Sequence, residues 1–123
     1  MKQSFIFGML FLYTTAFAQE QLDCSKPDCT YCEINCGWLH LEKLDKKLNQ
    51  QYQKTKRALT ESQQQSLINQ QRKWIKERDE TCWPKLPEEE MLTANYKLEA
   101  IECLSNQTSD RTEQLKHWKP ENN

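Results

Sequence analysis

Ile34-Asn35-Cys36-Gly37-Trp38-Leu39-His40-Leu41-Glu42-Lys43-Leu44-Asp45-Lys46-Lys47-Leu48-Asn49-Gln50-Gln51-Tyr52 is the stretch on which the fold turns. Ile34, Trp38, Leu41, Leu44, Leu48 and Tyr52 recur at spacings of three and four, so they share one stripe of a long helix, with Lys and Glu on the solvated positions. The stripe fades near Leu59, where Thr60 and Gln63 have the spacing of a capping box and predict a second helix start. Along that helix Leu67, Ile68, Trp74, Ile75 and Cys82 are expected to share a face. Pro84 and Pro87 end it, and Pro87 followed by Glu88-Glu89-Glu90 predicts a new start, with the acids complementing the helix dipole. A third helical region runs through Cys103, then Leu104, Thr108, Arg111, Leu115 and Trp118 at steps of four, three, four and three, before a frayed tail from Lys119. The fold class is all-α, an antiparallel bundle of three to four helices joined by short links.

The N-terminus reads as a signal peptide over residues 1–18. Lys2 supplies a basic start, Phe5 to Tyr13 an apolar run, and Ala16-Phe17-Ala18 the small-x-small cleavage pattern, so Gln19 would begin a single domain over 19–123. The apolar run is shorter than the roughly 20 residues that span a bilayer, and no second one follows. Gln21-Leu22-Asp23 before Cys24 departs from a lipobox, so neither a membrane span nor a lipid anchor is expected, and the product is periplasmic or secreted. All four Phe residues leave with the signal; what remains has no Val and one glycine, Gly37. Such a composition favours helices over sheets and builds a thin core of the kind that needs covalent staples. Without Lys2 the balance is 16 basic to 18 acidic residues, a net of −2, which offers nucleic acid no basic face.

Six cysteines remain, at 24, 29, 32, 36, 82 and 103, an even number that in an exported chain reads as three disulfides. Cys29-Thr30-Tyr31-Cys32 has the spacing of a redox pair, but no strand pattern surrounds it. With Cys36 and His40 it also suggests a metal site, yet on a continuous helix these residues would spread over about 16 Å, too far for one tetrahedral ion. Structural disulfides are the better reading, and neither metal nor cofactor is expected. His40 and His117 lie in no recognisable motif, and the carboxylates are spread as helix-surface charge, so the chain reads as a binding protein, not an enzyme. Asn106-Gln107-Thr108 matches the N-glycosylation pattern, which matters only in a eukaryotic source.

Three ordered motifs cover most of the chain: Asp45-x-x-Leu48-Asn49-x-x-Tyr52, Gln71-Arg72-x-Trp74-x-x-x-Arg78-Asp79-x-x-Cys82, and Cys103-Leu104-x-x-x-Thr108-x-x-Arg111-x-x-x-Leu115. With Cys24 and Cys36 a dozen residues apart, the pattern resembles the LprI-type lysozyme-inhibitor family of small exported bacterial helical proteins. The resemblance implies the disulfides Cys24–Cys36 and Cys82–Cys103. Cys29 and Cys32 are extra relative to that pattern and stand as a third pair; the lipid-attachment cysteine of some members is missing. The motif residues read first as structural: Trp74 and Tyr52 packing between helices, and Arg78 or Arg111 paired with Asp45 or Asp79.

Two of the bridges constrain the local fold. A straight helix from Pro87 would carry Cys103 about 24 Å from its start, whereas a disulfide needs Cα atoms within about 7 Å. A Cys82–Cys103 bridge therefore calls for a short helix from Pro87 to Leu92, a break near 93–95, and Thr93 or Asn95 as the cap of the last helix. A Cys29–Cys32 bridge calls for a first helix that begins irregularly, near or after Cys32.

The function the resemblance implies is inhibition of a host-type lysozyme in the bacterial envelope. Such lysozymes are basic, and Glu77 to Glu90 carries six acids against Arg78 and Lys85. Trp83, Lys85, Glu88, Glu89 and Glu90 are the candidate partner-binding residues, with Trp83 as an aromatic anchor on a rigid Cys-Trp-Pro turn. On that reading the Trp83 ring projects outward, and its removal weakens binding while leaving the melting temperature nearly unchanged; the plainer reading is that it caps the bundle. The alternative function is an envelope scaffold with a partner other than lysozyme.

Overall fold

The computed structural model describes residues 23–120, so the expected signal peptide lies outside the described residues. Four helices follow in order: α1 Thr30–Arg57, α2 Glu61–Cys82, α3 Glu88–Met91 and α4 Ala94–Lys116; there are no strands among the described residues. Each long helix has a side-chain cap that satisfies an otherwise free N–H. The Thr60 and Gln63 capping box is formed reciprocally at α2. Thr93 Oγ1 accepts from Tyr96 N at the start of α4, so Thr93 takes the role that Asn95 also offered. The break before it is where the chain turns back: α3 ends at Met91 with Leu92 as its C-cap, and α4 starts at Ala94, bringing Cys82 and Cys103 to a Cα separation of 5.4 Å.

Cys24 is joined to Cys36 and Cys29 to Cys32, with Cα separations of 5.5 and 5.0 Å. The third bridge does not require the late helix start expected for it. α1 begins at Thr30, before Cys32, and the irregularity falls on Cys29, whose backbone is extended (φ −146°, ψ 151°) as the N-cap residue. One non-helical residue is enough to bring the two sulfurs together.

Paired positions give the direction of the long helices. Along α1, Gly37, Leu41 and Thr55 meet Ile101, Leu104 and Leu115 of α4, so these two helices run parallel. Along α2, Gln71, Arg78 and Cys82 meet Arg111, Thr108 and Cys103, so α2 runs antiparallel to both. α4 is the central element, packed most extensively on α1.

The core has two centres. Leu41, Cys82 and Leu104 form one with Trp83 and Cys103 against them; Leu48, Leu67 and Leu115 form the other, flanked by Tyr52, Leu59, Trp74 and Trp118. The expected stripe of α2 needs correcting at Ile75, which is 41% exposed. The inward line of α2 is Leu67, Gln71, Trp74, Arg78 and Cys82, at steps of four, three, four and four. Two polar residues belong to it, and Ile75 sits about 100° round the helix from Trp74. Thr55 Oγ1 donates to Leu115 O at 2.7 Å, and Trp118 Nε1 donates to Gln70 Oε1 at 2.8 Å, closing the end away from the Cys82–Cys103 bridge. No helix among the described residues is long and apolar enough to cross a membrane.

At Gly37 α1 lies hard against α4: a Cβ there would lie 2.8 Å from Ile101 Cγ2. That methyl belongs to a β-branched, buried side chain with little freedom to yield. Gly37→Ala should gain about 1 kcal/mol of helix propensity and lose roughly 1–3 kcal/mol to overpacking. The expected outcome is a net loss, read as a lower denaturation midpoint in urea, and Gly37→Ala combined with Ile101→Val should recover part of it.

Candidate partner-binding site

Arg78 leaves α2 toward the junction of all three long helices. Its Nη1 lies 3.3 Å from Asp45 Oδ1 on α1 and donates to Thr108 Oγ1 on α4 at 3.1 Å; its Nε and Nη2 lie 2.9 and 2.8 Å from Asp79 Oδ1. Its side chain is 15% exposed, and Thr108 is fully buried. The guanidinium carbon also lies 5.1 Å from the Trp74 ring centroid, and that of Arg111 lies 5.7 Å from the same ring. Arg111 Nε donates to buried Gln71 Oε1 at 2.9 Å and Nη1 to Gln114 at 3.2 Å, while Nη2 has no partner among the described residues. Burial holds the Arg111 pKa below its ordinary value, since desolvation disfavours the charged form. Of the two arginines expected to pair with Asp45 or Asp79, Arg78 pairs with both and Arg111 with neither.

Leu48 and Leu115 are buried core, and Tyr52 packs beside them. Asn49 and Arg72 differ: both are exposed on a shallow cleft between α1 and α2, and neither makes a side-chain hydrogen bond among the described residues.

A larger groove, about 790 Å³, opens at the Cys82–Cys103 end. Trp38, Leu41, Trp83 and Leu104 give it apolar walls, and Asp45, Asp79, Glu80 and Lys85 stand among its polar lining. Trp83 is half-buried, with its ring 5.7 Å from that of Trp38 and 5.1 Å, edge-on, from that of Tyr96. Tyr96 OH donates to Pro84 O at 2.7 Å and holds the turn. Trp83 thus packs on the bundle end as well as facing the groove, so its removal is expected to cost stability too. Trp38, read from the sequence as a core residue, is 38% exposed and gives the groove its accessible aromatic face. No signal in the sequence separates it from the buried members of its stripe. Glu88, Glu89 and Glu90 are exposed on α3 and do not line the groove.

At the N-terminal end, Asp28, Cys29 and Cys32 offer ligand atoms within 4.8 Å of one another, but both sulfurs are committed to a disulfide. Cys36 is bonded to Cys24, and His40 and His117 are exposed.

The network of Asp45, Trp74, Arg78 and Arg111 is assembled from the three sequence motifs, and a family model described as "Lysozyme inhibitor LprI" matches residues 24–115. The chain belongs to the LprI lysozyme-inhibitor family. That is a family of inhibitors, not of catalysts. No curated protein and no solved structure matches the chain. In this LprI-family protein the motif residues converge mainly on the helix junction, with Asn49 and Arg72 left facing solvent.

Arg78→Met keeps the aliphatic stem and removes the hydrogen bonds that join α2 to α1 and α4. It should cost roughly 2–3 kcal/mol, because the buried Thr108 loses its donor and Asp45 its cation. Arg78→Lys should recover less than half of that, since an ammonium lacks the planar fork that reaches both partners and stacks on Trp74. Thermal melts followed by circular dichroism measure both.

Proposed function

We propose that the protein is exported and binds a host-type lysozyme in the bacterial envelope, blocking its action on peptidoglycan. Membership of the lysozyme-inhibitor family over residues 24–115 is the observation that carries this reading. The chemistry of the groove supports it. Aromatic walls at Trp38 and Trp83 beside the carboxylate of Glu80, and beside the oxygens of Asp45 and Asp79 that Arg78 leaves unbonded, suit a lysine or arginine, whose stem packs on the rings while its head meets the acids. A basic lysozyme presents many such side chains. The exposed Glu88, Glu89 and Glu90 add a negative field that steers encounter without needing contact in the final complex. Inhibition arises from binding and obstruction, with no catalytic step. An envelope scaffold serving another partner would use the same stable helical surface, and it becomes the better reading if lysozyme is untouched.

A turbidity assay of lysozyme on cell walls with the purified mature protein tests this. Inhibition is expected and should weaken as salt rises, because exposed charges are screened beyond about 8 Å at physiological ionic strength. Reversal of Glu88, Glu89 and Glu90 to lysine should slow association about tenfold at low salt. Trp38→Ala should weaken binding by roughly 10- to 30-fold, as for an aromatic contact at the centre of an interface. Absence of inhibition at high micromolar protein overturns the lysozyme reading.

A further inference from the structure

The three disulfides do different structural work. Cys82–Cys103 joins α2 to α4 with Cys82 buried, and Cys24–Cys36 ties the N-terminal lead to the second turn of α1. Cys29–Cys32 links residues only three positions apart within one helix start, so it constrains the unfolded chain least. Thr30 and Tyr31 between the two cysteines are exposed, as is Cys29 itself, while Cys32 is half-buried.

The surroundings of the two sulfurs are unequal. Cys29 is the N-cap of a 28-residue helix, and its Sγ accepts a hydrogen bond from Cys32 N at 3.0 Å. The free N–H groups of that first turn stabilise negative charge at the Cys29 sulfur. Asp28 Oδ1 lies 3.6 Å from Cys32 Sγ, where it can accept the hydrogen bond of a Cys32 thiol. One sulfur is therefore accessible and favoured as a thiolate, and its partner is favoured as a thiol.

We propose that Cys29–Cys32 is a thiol–disulfide exchange site that oxidises accessible thiols in the envelope, separate from the lysozyme-binding groove. The thiolate of an incoming thiol attacks exposed Cys29 Sγ. The Cys29–Cys32 bond breaks, its electron pair goes to Cys32, and Cys32 takes a proton while hydrogen-bonding to Asp28. A second thiolate then attacks the incoming sulfur of the mixed disulfide and releases Cys29 as the thiolate held by the helix N-terminus. Two thiols lose two electrons and become one disulfide, and the pair gains those electrons as two reduced cysteines. The reaction uses only the start of α1 and needs none of the strands of a thioredoxin-type fold.

The test is graded exposure of the intact mature protein to reduced glutathione or to a cysteine-containing peptide, followed by alkylation and peptide mapping. Cys29 and Cys32 should be alkylated as a pair while the other two bridges and the helicity persist. Reaction with glutathione alone identifies a small thiol as substrate, and reaction with the peptide alone a protein thiol; either supports the site. Opening of Cys24–Cys36 or Cys82–Cys103 first, all three bridges together, or no reaction with either thiol overturns it. Single variants test the asymmetry without a reductant. Free Cys29 in Cys32→Ser should attack an aromatic disulfide probe about tenfold faster than free Cys32 in Cys29→Ser. Equal rates would remove the role assigned to the helix N-terminus.

Discussion

One guanidinium, that of Arg78, is bonded at the same time to Asp45 on α1, to Asp79 on its own helix and to Thr108 on α4, with Trp74 against its face. The demand for such a tie comes from the thinness of the core. Among the described residues the buried apolar set is five leucines, Ile101, Ala100 and the half-cystine Cys82, with no aromatic ring. Leucines packed on a stripe permit small sliding between helices, whereas a planar fork with partners on two neighbouring helices permits one register. Both guanidiniums lie over the Trp74 ring, which offsets part of the cost of withdrawing them from water. Arg111 bears more of that cost, with one nitrogen unpartnered and its pKa lowered by burial.

The ends of the bundle are closed by different means, and the difference leaves an open groove at one of them. At the end near α1's C-terminus, Thr55, Gln70 and Trp118 spend their polar groups on neighbouring helices. At the other end the closure is covalent, through Cys82–Cys103, and the turn after α2 is held by Tyr96 on Pro84 O. A disulfide and one phenol hold the backbone without filling the space between the helices. The aromatic rings of Trp38 and Trp83 therefore border an open groove while acids from α1 and α2 stand beside them. The proposed binding surface follows from how the fold is stapled.

Much of the architecture was legible because it is local. The Thr60 and Gln63 pair, Pro87 before three glutamates, and the periodic leucines act within a turn or two of the chain, so their effect does not wait on neighbours. The fold-back between Cys82 and Cys103 followed from distance alone once the pair was supposed, since no straight helix brings them together. Hydrophobicity misled where the inward line of a helix is polar. Gln71 and Arg78 face the core and Ile75 faces water, and only the positions of α1 and α4 make that the lower-energy choice.

The sequence by itself determined that this chain is helical, that α2 begins at the Thr60 and Gln63 capping box, and which residues form the ordered motifs of its family, because each is written in spacing along one chain. Only the tertiary structure decided that Arg78 and not Arg111 meets the carboxylates, that Gly37 lies hard against Ile101 of α4, and that Trp38 borders a groove while Trp83 is packed into the bundle end. Those outcomes depend on the angular position of one helix against another. A side chain's neighbours across a bundle are set by the packing of all three helices together, and periodicity along a single helix carries only half of that information.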